Sequence, residues 1–131
     1  MSRQWLIAIL ILIGIFVFSS QGLKGGPEVS VREAAALLKG NPQPVVIDVR
    51  ERAAFDQGRI AGARSVPIGD FKAQLAGLKL SKTDVMILYG EDDTRAREAT
   101  KHLYESGYQS ALTLVGGIEA WRAAGHPVVT K

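Results

Sequence analysis

A chain of 131 residues has room for one domain of ordinary size and a short appendage, which excludes a two-domain architecture. Its 47% hydrophobic and 22% charged content excludes disorder as the default, and the absence of cysteine excludes disulfides, thiolate metal sites and thiol nucleophiles. The formal charge of +3 makes no phosphate footprint: Arg3 and Lys24 flank an apolar stretch, the other 14 of 16 bases are interspersed with 13 acids, and nucleic acid is not an expected partner.

Trp5 to Phe18 (WLIAILILIGIFVF) is an unbroken apolar run of 14 residues behind Arg3. Carried through Ser19, Ser20 and Gly22 to Leu23 it reaches 19 residues, roughly 28 Å of helix against a bilayer core of about 30 Å. Trp5 and Lys24 then fall at the two interfaces, where an aromatic ring and a snorkelling cation belong. Residues 1–24 are therefore expected to form a single-pass transmembrane anchor, in the inner membrane if the source is bacterial, with Trp5–Leu23 in the lipid. The run also has the length of a signal-peptide core, and Ser20-Gln21-Gly22 has the small-x-small pattern of a cleavage site, so a cleaved signal stays open. A buried helix of a soluble core is disfavoured, because a helix apolar on every face has no solvent side. Orientation is undetermined, since Arg3 and the amino terminus oppose Lys24, Arg32 and Lys39.

Gly25-Gly26-Pro27 opens a linker, residues 25–29, and a domain is expected over 30–131. Ser30-Val31-Arg32-Glu33 has the capping-box pattern and predicts a helix through Leu38, stopped by Gly40 and Pro42/Pro44. Val45–Val49 is a β-branched run suited to a strand buried on both faces. Glu51–Gln57 predicts a short helix closed by Gly58. Ser65-Val66-Pro67 predicts a brief strand, with Asp70 capping a helix through Leu78. Asp84–Tyr89 (DVMILY) is the most apolar interior strand. Thr94–Ser106 predicts a helix with Ala96, Ala99, Leu103 and Tyr104 inward, ended by Gly107. Ala111–Val115 predicts a strand, and Ile118–Ala124 follows Gly116-Gly117 as the last helix. Strands alternating with helices imply an α/β domain with a parallel sheet covered on both faces.

Three stretches carry a family resemblance over roughly Ser30 to Val129: VVIDVRERAAFDQGRIAGARSVPI, DVMILYGEDDTRAREATKHLYESGY and LVGGIEAWRAAGHPV. In order and spacing, with the glycine pair followed by Trp121 and Gly125-His126-Pro127, they resemble the rhodanese homology domain. The resemblance implies a doubly wound α/β fold with a central parallel sheet. In active members the strand matching Asp84–Tyr89 ends in a cysteine that opens a Cys-x-x-Gly-x-Arg-Ser loop. Such a loop aims backbone amides at one point, lowers the thiol pKa and lets a persulfide be carried through a transfer cycle. Here the matching residues are Gly90-Glu91-Asp92-Asp93-Thr94-Arg95-Ala96. Gly90 stands at the nucleophile position, Asp93 at the loop glycine and Ala96 at the serine; only Arg95 is retained. No other cysteine is present to take over, so no catalytic residue, cofactor or metal is assigned, and sulfur transfer by the family mechanism is not expected.

Glu91, Asp92 and Asp93 are expected to act as built-in anions at a helix N-terminus, satisfying its amides and repelling thiosulfate or phosphate. Divalent-cation binding by the same acids is the weaker alternative. The resemblance assigns Asp48 a bracing role beneath the loop, and places Arg59 where many relatives carry histidine. Arg95 and Arg97 are candidates for an anionic partner or, more simply, for neutralising Glu91–Asp93. His102 and His126 have no catalytic company, and Trp121 reads as core. The expected function is a membrane-anchored, catalytically inactive interaction or scaffolding module with a protein partner. Two alternatives stand beside it: an enzyme of another class using Glu91–Asp93 as a metal or general-base site, and a stabilising subunit of a larger membrane complex.

Overall fold

The computed structural model describes residues 27–130. The anchor expected over 1–24 lies outside the described residues. Five strands form one parallel sheet in the order β1-β6-β5-β2-β4: β1 is Glu28–Val29, β2 Val45–Asp48, β4 Arg64–Ser65, β5 Val85–Tyr89 and β6 Ser110–Leu114. A second, two-stranded antiparallel sheet pairs β3 (Arg59–Ile60) with β7 (Val128–Val129). The helices are α1 (Val31–Leu38), α2 (Arg52–Gln57), α3 (Phe71–Gln74), α4 (Asp93–Glu105) and α5 (Gly117–Ala123).

The strand period of two sorts the core into two layers. In β5, Met86 and Leu88 point to one face with Ile47, Ala111 and the α4 residues Ala96, Ala99 and Leu103. Ile87 and Tyr89 point to the other with Val46, Leu112, Leu114 and residues of α1 and α5, among them Ala34, Ile118 and Trp121. Four consecutive fully buried residues, Met86-Ile87-Leu88-Tyr89, follow from this position between two parallel neighbours and two helix layers. On the α4 face the hydroxyls of Thr100 and Thr113 bond each other at 2.9 Å, and Thr100 also donates to the Ala96 carbonyl at 2.8 Å, so neither is buried unpaired.

The capping box forms as expected: the Glu33 amide donates to Ser30 Oγ at 3.1 Å, and the Ser30 amide donates to Glu33 Oε1 at 3.2 Å. Three expectations are corrected. The linker 25–29 is too long, because Glu28 and Val29 pair with Thr113 and Leu114 as the edge strand. The strand expected at 65–67 lies at Arg64–Ser65, where its pairing register with Ile47 and Asp48 puts it. Asp70 makes no side-chain cap, and the helix expected from it breaks into 3-10 turns at Ile68–Asp70 and Ala76–Leu78 around the four residues of α3.

Two phenols are held inside these layers. Burial, and next the charge of Asp48, push Tyr89 well above the ordinary phenol value, and burial does the same to Tyr104. Tyr89 accepts the Ile60 amide at 3.2 Å, and Tyr104 donates to the Ala111 carbonyl at 2.8 Å. A raised folded-state pKa leaves stability intact below the unfolded value of about 10 and removes it above, as the unfolded chain ionises first. Urea unfolding at rising pH is therefore expected to show stability falling above about pH 10. Tyr89→Phe should lessen that fall, at a cost of about 1–3 kcal/mol at neutral pH for the stranded Ile60 amide. An unchanged alkaline slope in Tyr89→Phe contradicts the assignment.

Candidate functional site

The carboxyl ends of β2 and β5, side by side in the sheet, place Asp48 and Gly90 at the same edge. This is where an open parallel sheet puts its crevice. Asp48 has no exposed surface and Arg50 is 4% exposed, so their charges meet out of water. Arg50 Nε donates to Asp48 Oδ1 and Oδ2 at 3.0 and 3.1 Å, and Nη2 to Oδ2 at 2.7 Å, a two-pronged contact. Nη2 also donates to the Gly58 carbonyl at 2.6 Å, and Nη1 reaches Glu91 Oε1 at 3.4 Å. Burial alone disfavours the cation. The hydrogen bonds and charge of Asp48 outweigh it, and the guanidinium is held above its ordinary value.

The loop from Gly90 to α4 is locked from the other side by Gly116-Gly117. A Cβ built on Gly117 would lie 2.2 Å from the Gly90 carbonyl oxygen, and its φ is +59°, so this approach admits only glycine. The closeness lets the Ile118 amide donate to that carbonyl at 3.2 Å. Asp93 Oδ1 accepts the Gly116 amide at 2.9 Å, which ties the start of α4 to the start of α5. A Cβ built on Gly90 would lie 3.1 Å from the backbone oxygen of Asp92 and 3.5 Å from Val49 Cγ2. A carbonyl oxygen thus borders the position where a side chain at residue 90 would begin. A cavity of about 230 Å³ opens beside it, lined by Arg50, Glu51, Ala54, Gly90, Glu91, Asp92 and Arg95.

The three acids do not act together. Asp92 is the N-cap, its Oδ1 accepting the Thr94 amide at 2.9 Å. Glu91 turns to Arg50, and Asp93 to Gly116 and, at 3.5 Å, to Arg97. The expectation that all three satisfy the α4 amides is corrected: one does, because the side chains leave the chain in different directions. Among the described residues no three acidic or histidine side chains converge as a metal group would need. Arg97 neutralises Asp93 as expected and also binds Glu28 at 3.2 Å. Arg95 instead faces Glu51 at 3.8 Å, both exposed. Arg59 lies outside the cavity, over the Phe55 ring at 4.5 Å. Ala96 is buried on the inward face of α4.

Sequence reasoning missed Arg50, Glu51, Glu28 and the role of Gly117. A signal for Arg50 existed: in Asp48-Val49-Arg50 the period of two puts acid and base on one side of an extended segment.

The family model for the rhodanese-like domain matches residues 30–124. The chain belongs to the rhodanese-like domain family. It is similar to the uncharacterised protein YibN of Escherichia coli K12, 26% identical over 122 residues that cover 92% of this chain and 85% of YibN. It is also similar to the thiosulfate sulfurtransferase GlpE of Coxiella burnetii, 29% identical over 100 residues, 76% of this chain and 90% of GlpE. Among solved structures, the rhodanese-like domain of the Alr3790 protein from Anabaena superposes with a TM-score of 0.71 at 30% identity, covering 80% of each chain. A rhodanese-related protein of Thermoplasma volcanium gives 0.71 at 23% identity over 79% of this chain and 98% of that one, a likeness of fold. The chain thus has the rhodanese-like α/β fold with a central parallel sheet, shared with these two solved structures.

Arg50→Met leaves the Asp48 carboxylate buried without its partner, and unfolding by urea should show a loss of about 3–5 kcal/mol. Adding Asp48→Asn should restore part of it. A double variant as unstable as the sum of the two single ones contradicts the pairing.

Proposed function

We propose that this rhodanese-like domain is a non-catalytic interaction module, held at a membrane by Trp5–Leu23. The observation that carries the reading is Gly90 at the end of β5, in a chain with no cysteine. The family's chemistry needs a polarisable nucleophile that can hold a persulfide, and serine or threonine elsewhere cannot replace it. The Asp92 carbonyl beside Gly90 adds to this, since it presents negative charge where an active loop presents amide donors. Around the cavity Glu51, Glu91, Asp92 and Arg95 stand exposed, a polar rim suited to a protein partner rather than to a buried small substrate. The divergence of Glu91, Asp92 and Asp93 disfavours the alternative of a metal or general-base enzyme.

Assayed with thiosulfate and cyanide, the chain is expected to yield no thiocyanate above background. Gly90→Cys should stay nearly blank, because its Cβ meets the Asp92 oxygen at 3.1 Å. Gly90→Cys with Asp93→Gly should recover more, through release of the Gly116 contact. Sulfane sulfur on the purified chain would overturn the reading; full turnover from Gly90→Cys alone would overturn the account of the acidic loop.

The anchor has its own test. The full chain should stay in the membrane pellet through alkaline carbonate extraction, and a chain lacking residues 1–24 should not. Extraction of the full chain by carbonate counts against the anchor and leaves the loop argument standing.

A further inference from the structure

A second concavity lies on the face opposite α4. α1 and the end of α5 enclose a groove of about 580 Å³, lined by Ser30, Val31, Arg32, Ala35, Ala36, Lys39, Ala124 and His126. Among the described residues no carboxylate lines it. The one acid of α1, Glu33, is turned back onto the Ser30 amide, and Glu119 of α5 is paired with Arg122 at 3.0 Å. Arg32, Ala36 and Lys39, spaced four and three apart, form one exposed stripe along the groove, a base at each end and a small residue between. Neither base has an ion-pair partner among the described residues.

The groove sits where the chain joins the proposed anchor. This placement rests on Trp5–Leu23 being a membrane anchor. Four residues, Lys24–Pro27, separate Leu23 from β1, and four residues reach at most about 14 Å. The headgroup layer takes up about 6 Å of this on each side of the hydrocarbon. A domain tethered so closely must rest one face on the headgroups. The sheet edge at β1 is flanked by α1 on one side and α4 on the other. On α4 the acids Asp93, Glu98 and Glu105 are matched by Arg95, Arg97 and Lys101, whereas among the described residues the α1 groove sets Arg32 and Lys39 beside Val31, His126 and small residues with no carboxylate in its lining. Charge decides between them, since a negative surface attracts Lys and Arg within about a Debye length and repels carboxylates.

We infer that the α1–α5 groove is a docking face for anionic phospholipid, with Arg32 and Lys39 on headgroup phosphates and Ala35, Ala36 and Ala124 against the glycerol region. This orients the domain on the bilayer and leaves the α4 face, with its acids, directed away.

The lack of cysteine makes single labelling sites easy to introduce. The full chain, with Ala36→Cys or Lys101→Cys carrying an environment-sensitive fluorophore, is reconstituted in phosphatidylcholine vesicles with or without phosphatidylglycerol. A quencher attached to lipid headgroups reads proximity. Quenching at residue 36 is expected to exceed that at residue 101 several-fold when phosphatidylglycerol is present. It should fall towards the residue 101 level in high salt or in the Arg32→Glu/Lys39→Glu variant. Equal quenching at the two sites, or strong quenching at 36 that the double variant does not change, overturns the inference. Flotation with pure phosphatidylcholine vesicles separates the two readings. A chain that floats yet shows equal quenching keeps its anchor and loses the docking face; a chain that fails to float loses both.

Discussion

The guanidinium of Arg50 joins four groups: Asp48 at the end of β2, the Gly58 carbonyl before β3, Glu91 in the loop before α4, and the ring of Tyr89, 5.7 Å from its centre. A buried cation is tolerated only when its donors are met, and here the carboxylate of Asp48 and the Gly58 carbonyl meet most of them. The arrangement ties the carboxyl edge of the sheet to α2 and to the candidate loop, so the cavity inherits its shape from this one side chain. Desolvation offsets part of what attraction gives such a pair, and breaking it by removing one partner costs more than the intact pair contributes.

The acids of the loop around Gly90 are used for structure. Asp92 caps α4, Asp93 holds the α5 turn, and Glu91 leans on Arg50. Each acid meets a donor supplied by the fold. A loop whose charges are already balanced by its own chain has less to offer a diffusing anion. Close packing of Gly117 on the Gly90 carbonyl then holds the backbone in this form.

A solved rhodanese-like domain at 30% identity shares this fold, and a relative at 29% identity is a thiosulfate sulfurtransferase. The two core layers account for that constancy: alternation in β2, β5 and β6 and the small inward residues of α4 can be met by many sequences. Function depends on far fewer atoms, at the ends of two strands, and is separable from the packing that positions them.

The amino-acid sequence by itself determined the alternation of β2, β5 and β6 with their helices, the capping box at Ser30, the place of Gly90 at a strand end and the absence of any thiol. These are local matters: β-branched runs, helical spacing and cap residues report on a few neighbouring positions. Only the tertiary structure decided the rest. β1, β3 and β7 have two residues each, too short for any periodic signal, and exist because Thr113, Leu114 and each other's backbones meet them across the sheets. The separate partners of Glu91, Asp92 and Asp93, and the pairing of Arg97 with Glu28, required knowing which side chains lie within reach after folding. A strand of two residues and a charge with several neighbours share one property: their state depends on contacts far along the chain, which local pattern does not encode.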